Sequence, residues 1–167
     1  MRKWYGLGAI VCFALIGFAI FSQFQWGLQP CPLCIFQRIA FAALGVVLLI
    51  GAIHNPATKA RWVYMATALV PALVGSIIAG RHVWLTHLPA DQVPSCGPGL
   101  NFLMEAFPLW NVIKTVLTGS GECAKVDWTF LGLSMPAWSL LWFVGLTAVV
   151  VVGALRKKSV KMEQTSH

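Results

Sequence analysis

Hydrophobic positions gather along this chain into four long runs, separated by stretches that are polar or rich in proline and glycine. The first run, residues 4–22, carries no charged side chain. At about 1.5 Å per helical residue it is long enough to cross a hydrocarbon layer of about 30 Å. Runs of similar length follow at 35–53, 62–80 and 137–155, with Arg38 near the mouth of the second and Pro71 inside the third, where a kink is expected. Between them lie a short link at 23–34, a turn-rich polar loop at 54–61 and a long segment at 81–136; a basic tail, 156–167, closes the chain. In the long segment Leu100, Leu103, Phe107, Trp110, Val112, Ile113, Val116 and Leu117 leave one face apolar, against polar Asn101, Glu105, Asn111, Lys114 and Thr115. That pattern predicts a short helix lying flat in the membrane interface, interrupted by Pro108; a loop packed on the bundle is the competing arrangement. The pattern as a whole predicts an all-α integral membrane protein. It is a four-transmembrane-helix bundle with a long outer loop, residues 1–167 forming a single domain without internal repeats.

Composition sharpens this picture. Of 167 residues, 58% are hydrophobic and 10% charged, with a mean hydropathy of +0.76, too little polar surface for a soluble globule. The net charge of +7 does not point to nucleic acid, because the basic residues gather at the chain ends and in one short loop, with no basic stripe interleaved with aromatics. Arg2 and Lys3 before an apolar run resemble the start of a signal peptide, but no small-x-small cleavage pattern follows, so the first run is read as an anchor. Four spans place both termini on one side. That side holds Arg2, Lys3, Lys59, Arg61, Arg156, Lys157, Lys158 and Lys161, which is 8 of the 12 Lys and Arg residues, and the positive-inside rule makes it cytoplasmic. The loops 23–34 and 81–136 then face the opposite, oxidising side with Cys31, Cys34, Cys96 and Cys123, while Cys12 lies within a span and reads as a packing residue. Trp4, Trp26, Trp62, Trp84, Trp138 and Trp142 are expected in aromatic belts.

The chemistry centres on Cys31-Pro32-Leu33-Cys34, set at the start of an apolar run. Two cysteines three apart fit one helical turn, and a helix N-terminus offers free N–H groups and a positive dipole end that favour thiolate over thiol. Pro32 suits the first turn, and Arg38 follows on the same helical face as both sulfurs. A zinc site is disfavoured, since no second Cys-x-x-Cys or paired-His motif supplies the missing ligands. Cys96, between Pro94 and Pro98, and Cys123, after Gly119-Ser120-Gly121-Glu122, stand in segments expected to be extended and accessible. On their own they read as a structural staple or as an exchange-prone pair. The close pair beside them favours exchange, and its place at the membrane surface makes a lipid-soluble quinone the economical electron acceptor. Arg38 is expected to stabilise thiolate and quinone anion, with a snorkelling anchor as its plainer reading. His82 is expected to hydrogen-bond a quinone carbonyl or to donate a proton, or else to be an ordinary interfacial histidine.

Taken together, Cys31-Pro-Leu-Cys34 with Arg38, the exit Arg81-His82, the loop Cys96, and Gly119-Ser-Gly-Glu-Cys123 continuing through Trp128-Thr-Phe-Leu-Gly-Leu-Ser-Met-Pro-Ala-Trp138 resemble the DsbB family of membrane thiol:quinone oxidoreductases. The resemblance covers nearly the whole chain. It implies a bacterial inner-membrane enzyme in which a Cys96–Cys123 disulfide oxidises a periplasmic DsbA-like thioredoxin-fold protein. A Cys31–Cys34 disulfide would then reoxidise the loop pair and reduce ubiquinone or menaquinone, with Cys34 against the quinone and Arg38 and His82 in contact with it. A Met that some members carry one turn after the histidine is Leu85 here. Two rival readings are a non-enzymatic four-helix protein held by structural disulfides and a vitamin K epoxide reductase-like enzyme, which shares the chemistry but not the motif order.

Overall fold

The structure, a computed structural model, describes residues 2–27, 30–56, 60–89, 91–92, 105, 107–118, 121–124 and 128–164. Four helices in it are long and apolar enough to cross a membrane: α1 (Arg2–Trp26), α2 (Pro32–His54), α3 (Ala60–Thr86) and the Met135–Val152 part of α6 (Met135–Gln164). Their outward faces carry Ile10, Ile53, Val63, Val70 and Ile77, all exposed, which in water would be a large uncompensated cost and in lipid is none. The chain therefore forms the four-helix membrane bundle that its hydropathy predicts.

Each helix outruns its apolar stretch. α1 continues to Trp26, α2 begins at Pro32, α3 runs to Thr86, and helical backbone extends through Gln164, so the basic residues 156–161 belong to a helix rather than to a separate tail. Hydropathy ends where the first charges appear, whereas a helix ends where its backbone groups find other partners. At the start of α2 that partner is a sulfur: Cys31 is the N-cap, with extended φ and ψ of −67° and 161°, and its Sγ accepts from the Cys34 N–H. At the other end Asn55 takes the left-handed conformation, φ 45°, and its N–H closes on the Gly51 carbonyl at 3.0 Å; Pro56 follows. α3 passes through Pro71 without ending.

α1 packs on α2, α2 on α3 and α3 on α6, while α6 barely meets α1, which leaves the ring open along one seam. The main core joins Tyr5, Ala9 and Cys12 of α1 to Phe41, Leu44 and Leu48 of α2, Ala68, Ala72 and Ala79 of α3, and Phe143, Leu146 and Val150 of α6. Small residues on α3 let α6 come close, as is usual between helices in lipid. Phe143 stacks on Phe41, ring centroids 3.8 Å apart, and its ring fills the space that a Cβ on Gly75 would need.

The outer segment adds a second, smaller core. α4 (Leu109–Thr118) starts directly after Pro108 and turns Val112 and Val116 inward, onto Leu33, Ile78 and Leu85, while Trp110 remains exposed; the one-turn α5 (Gly121–Ala124) adds Cys123. The expected short helix thus exists, bound to the bundle by its apolar stripe. The remaining 100–107 part of the expected amphipathic stretch is described only at Glu105 and Phe107.

Two short strands, β1 (Thr129–Phe130) and β2 (Leu133–Ser134), pair as a hairpin unforeseen in the sequence. Its turn residues, Leu131 and Gly132, both have positive φ (52° and 78°), the backbone twist that two-residue hairpins require. A leucine at such a position gives no warning of a turn. Trp138 of α6 secures the hairpin by donating its indole N–H to the Phe130 carbonyl at 3.0 Å.

The Gly75–Phe143 contact yields a stability test. Gly75→Val must displace a stacked ring, and overpacking of this kind costs about 1–3 kcal/mol. The midpoint of unfolding in detergent should fall for Gly75→Val and stay near wild type for Gly17→Ala, a position with open space around it.

Candidate active site

Because Cys31 caps α2, its sulfur is fixed over the first turn and Cys34 is brought to the same face. The two sulfurs stand 3.1 Å apart, with the Cys31 S–H donating to Cys34, and the Cys34 N–H reaches Cys31 Sγ at 3.4 Å. Cys31 is buried and Cys34 half-buried. His82 Nε2 lies 3.7 Å from Cys31 Sγ, and the Cys31 sulfur, a His82 ring nitrogen and the Cys123 sulfur all fall within 4.8 Å of one another. Residues distant in sequence thus converge on one sulfur.

His82, one turn before the end of α3, is 3% exposed, and both of its ring nitrogens are engaged. Nε2 stands 3.1 Å from the Cys123 carbonyl, and Gln37 Nε2 stands 3.0 Å from Nδ1. Arg38 is likewise held, donating from Nη1 to Gln23 Oε1 at 2.9 Å and from Nη2 to the Ala19 carbonyl at 3.1 Å, both on α1. A bare snorkelling anchor would have no need of two fixed acceptors. Arg81, by contrast, lies over the ring of Trp84, 4.2 Å from its centroid, as an interfacial pair.

A cavity of about 370 Å³ opens at the seam between α1 and α6. Cys34, Arg38 and His82 stand in its wall beside Ile16, Phe18 and Phe41, and the hairpin side is closed by Trp128, Phe130, Trp138 and Trp142. Trp26, Trp128 and Phe130 form a continuous stack, with neighbouring centroids 5.9 Å apart at each step. Trp138 and Trp142 are thus not only belt residues, as the sequence suggests: the hairpin turns them toward the cavity. Volume and lining fall in the range of small-molecule sites, about 300–1,000 Å³ and mostly apolar with a few placed polar groups.

The structure corrects a second expectation, that Cys123 stands in an accessible loop. It is 1% exposed, sealed by α4 and the ends of α2 and α3. Cys96 lies outside the described residues. Cys12 packs in the main core, apart from the cluster that holds Cys31 and Cys123. Sequence reasoning passed over Gln37 and Gln23; the signals that mark them are a glutamine inside the second apolar run and one directly after the first.

A close cysteine pair in the wall of a largely apolar cavity in a four-helix membrane bundle, with a third sulfur within 4.8 Å of Cys31, defines a membrane thiol–disulfide oxidoreductase. The family model described as disulfide bond formation protein DsbB matches residues 1–153, and the chain belongs to that family of disulfide-generating membrane enzymes. Among relatives named disulfide bond formation protein B, that of Methylococcus capsulatus is 52% identical over 147 residues, covering 88% of this chain and 90% of its own. That of Xanthomonas oryzae pv. oryzae is 54% identical over 146 residues, covering 87% and 85%. The Hahella chejuensis protein is 49% identical over 156 residues, covering 93% and 94%. A non-enzymatic membrane protein stapled by disulfides is thereby set aside.

The burial pattern predicts a graded thiol reactivity. In the reduced, detergent-solubilised protein a small alkylating reagent should, of the four described cysteines, modify Cys34 first and leave Cys12 untouched until the bundle unfolds, as read by peptide mass spectrometry. Cys12→Ala should keep most of the turnover; an inactive Cys12→Ala enzyme would place the electron path through the core.

Proposed function

We propose that this protein is a bacterial inner-membrane enzyme, termini in the cytoplasm, that reoxidises a periplasmic DsbA-type thioredoxin-fold dithiol and delivers the electrons to ubiquinone or menaquinone. The observation that carries this reading is the position of Cys31, whose Sγ stands 3.1 Å from that of Cys34 in the cavity wall and within 4.8 Å of that of Cys123. The charge asymmetry of the sequence supports the orientation.

The relay begins when a partner thiolate attacks Cys96 of a Cys96–Cys123 disulfide, forming a mixed disulfide and releasing Cys123 as thiolate. The partner's second thiol then attacks its own mixed-disulfide sulfur, which frees oxidised partner and leaves Cys96 reduced. Cys123 attacks Cys31 of a Cys31–Cys34 disulfide: the Cys31–Cys123 bond forms, the Cys31–Cys34 bond breaks, and Cys34 leaves as thiolate toward the cavity. Attack of Cys96 on Cys123 restores the loop disulfide and releases Cys31. Two electrons and two protons now reside on the Cys31–Cys34 pair. A bound quinone supplies the sink for both, and its acceptance of them restores the Cys31–Cys34 disulfide.

The cavity suits such a molecule, since its apolar and aromatic walls accept a flat ring and its polar groups include Cys34, Gln37, Arg38 and His82. Arg38 would hold the ring oxygen end, its charge kept in place by Gln23 and the Ala19 carbonyl. A vitamin K epoxide reductase-like reading would need another family match and another motif order.

Purified enzyme given a reduced thioredoxin-fold partner should reduce one equivalent of a soluble quinone analogue per partner dithiol, and Cys34→Ala should abolish this. Absence of quinone reduction by the wild type defeats the proposal. Arg38→Ala should raise the quinone KM by about tenfold or more, and Arg38→Lys by less, since lysine keeps the charge but not the fork. Equal KM values in all three would reduce Arg38 to an anchor. For topology, a membrane-impermeant thiol reagent should reach Cys96 in intact, reduced cells; labelling only after the inner membrane is opened would invert the orientation.

A further inference from the structure

The buried pair His82–Gln37 has no part in the relay as written, yet it touches two of its sulfur residues. The Cys123 carbonyl can only accept, so the ring nitrogen 3.1 Å away, Nε2, carries hydrogen. Any change of protonation on the ring then falls on Nδ1, which faces the Gln37 amide at 3.0 Å. An amide meets either state, donating its NH₂ to bare Nδ1 or turning its carbonyl to Nδ1–H. Gln37 therefore preserves the Nε2 hydrogen whatever the charge of the ring. Cys31 Sγ stands 3.7 Å from the same Nε2.

We propose that His82, beyond its place in the cavity wall, is a catalytic residue of the exchange between Cys31 and Cys123, and that Gln37 is its positioning residue. In the resting contact the Nε2–H holds α5 by the Cys123 carbonyl, which keeps the Cys123 sulfur within reach of Cys31. During resolution Cys96 thiolate attacks Cys123 of the Cys31–Cys123 disulfide. The Cys96–Cys123 bond forms, the Cys31–Cys123 bond breaks, and its electron pair stays on Cys31. The leaving thiolate then has a donor already beside it, on a sulfur packed against Leu33, Val112 and Val116. Cys34 needs no such donor, because it leaves toward Arg38 and the cavity.

This inference rests on the proposed relay, and its test has one arm that does not involve quinone. In the full chain carrying Cys34→Ala and Cys96→Ala, Cys31 and Cys123 pair with each other when oxidised glutathione is supplied. His82→Ala should slow formation of that disulfide, and its re-opening by added thiol, by roughly 10–100-fold, the range set by one hydrogen bond to a charged group. In the enzyme with all cysteines present, His82→Ala should lower kcat similarly, leave the quinone KM within about twofold, and accumulate the Cys31–Cys123 disulfide during turnover. His82→Gln retains an N–H near the Nε2 position and should restore much of kcat; Gln37→Leu should fall between wild type and His82→Ala. A raised quinone KM with unchanged glutathione-driven exchange would return His82 to the quinone site and overturn the assignment. Failure of His82→Gln to restore exchange, at an unchanged unfolding midpoint, would also overturn it. If the wild type fails to reduce quinone but exchange still depends on His82, the relay reading falls and the histidine's role in exchange stands.

Discussion

One sulfur organises the working end of this molecule. Cys31 Sγ takes the place of the oxygen that usually caps a helix, satisfying the Cys34 N–H and so fixing where α2 begins. Leu33, buried on the inner side of that first turn, and Phe41, stacked on Phe143 two turns further in, lock the rotation of the helix. With rotation and starting point both set, Cys34 and Arg38 have no choice but to meet the seam between α1 and α6. A cap therefore serves as the hinge point of the chemistry.

The solvent makes these contacts matter. In a bilayer interior a polar group without a partner has no water to turn to, so pairs such as Arg38 with Gln23 and the Ala19 carbonyl, or His82 with Gln37 and the Cys123 carbonyl, hold their geometry firmly. The first set joins α2 to α1, and the second joins α2, α3 and α5. The site is rigid for the same reason that the bundle holds together near its outer face.

Outside the bundle, two small structures close the site from different directions. α4 and α5 cover the sulfurs, and the hairpin with its stacked tryptophans covers the cavity. Exclusion of water protects thiolates from adventitious oxidants and keeps exchange between designated sulfurs. Among the described cysteines none is well exposed.

Much of this was legible in the chain. The four spans follow from hydropathy, because lipid demands about 20 apolar residues of any helix that crosses it, and orientation is an expectation from charge counting alone. The reactive pair was legible too, since Cys-Pro-Leu-Cys before an apolar run brings its own cap and first-turn proline. Sequence could not tell that Cys123 is buried, that Leu131-Gly132 turns a hairpin, that Trp138 and Trp142 face a cavity, or that Gln37 meets His82. Those facts depend on contacts between residues tens of positions apart, set by how Gly75 admits Phe143 and how α4 lays Val112 and Val116 across the helix ends. Local pattern reports what a segment prefers against its solvent; which segment it meets is decided only when all four helices compete for the same buried volume.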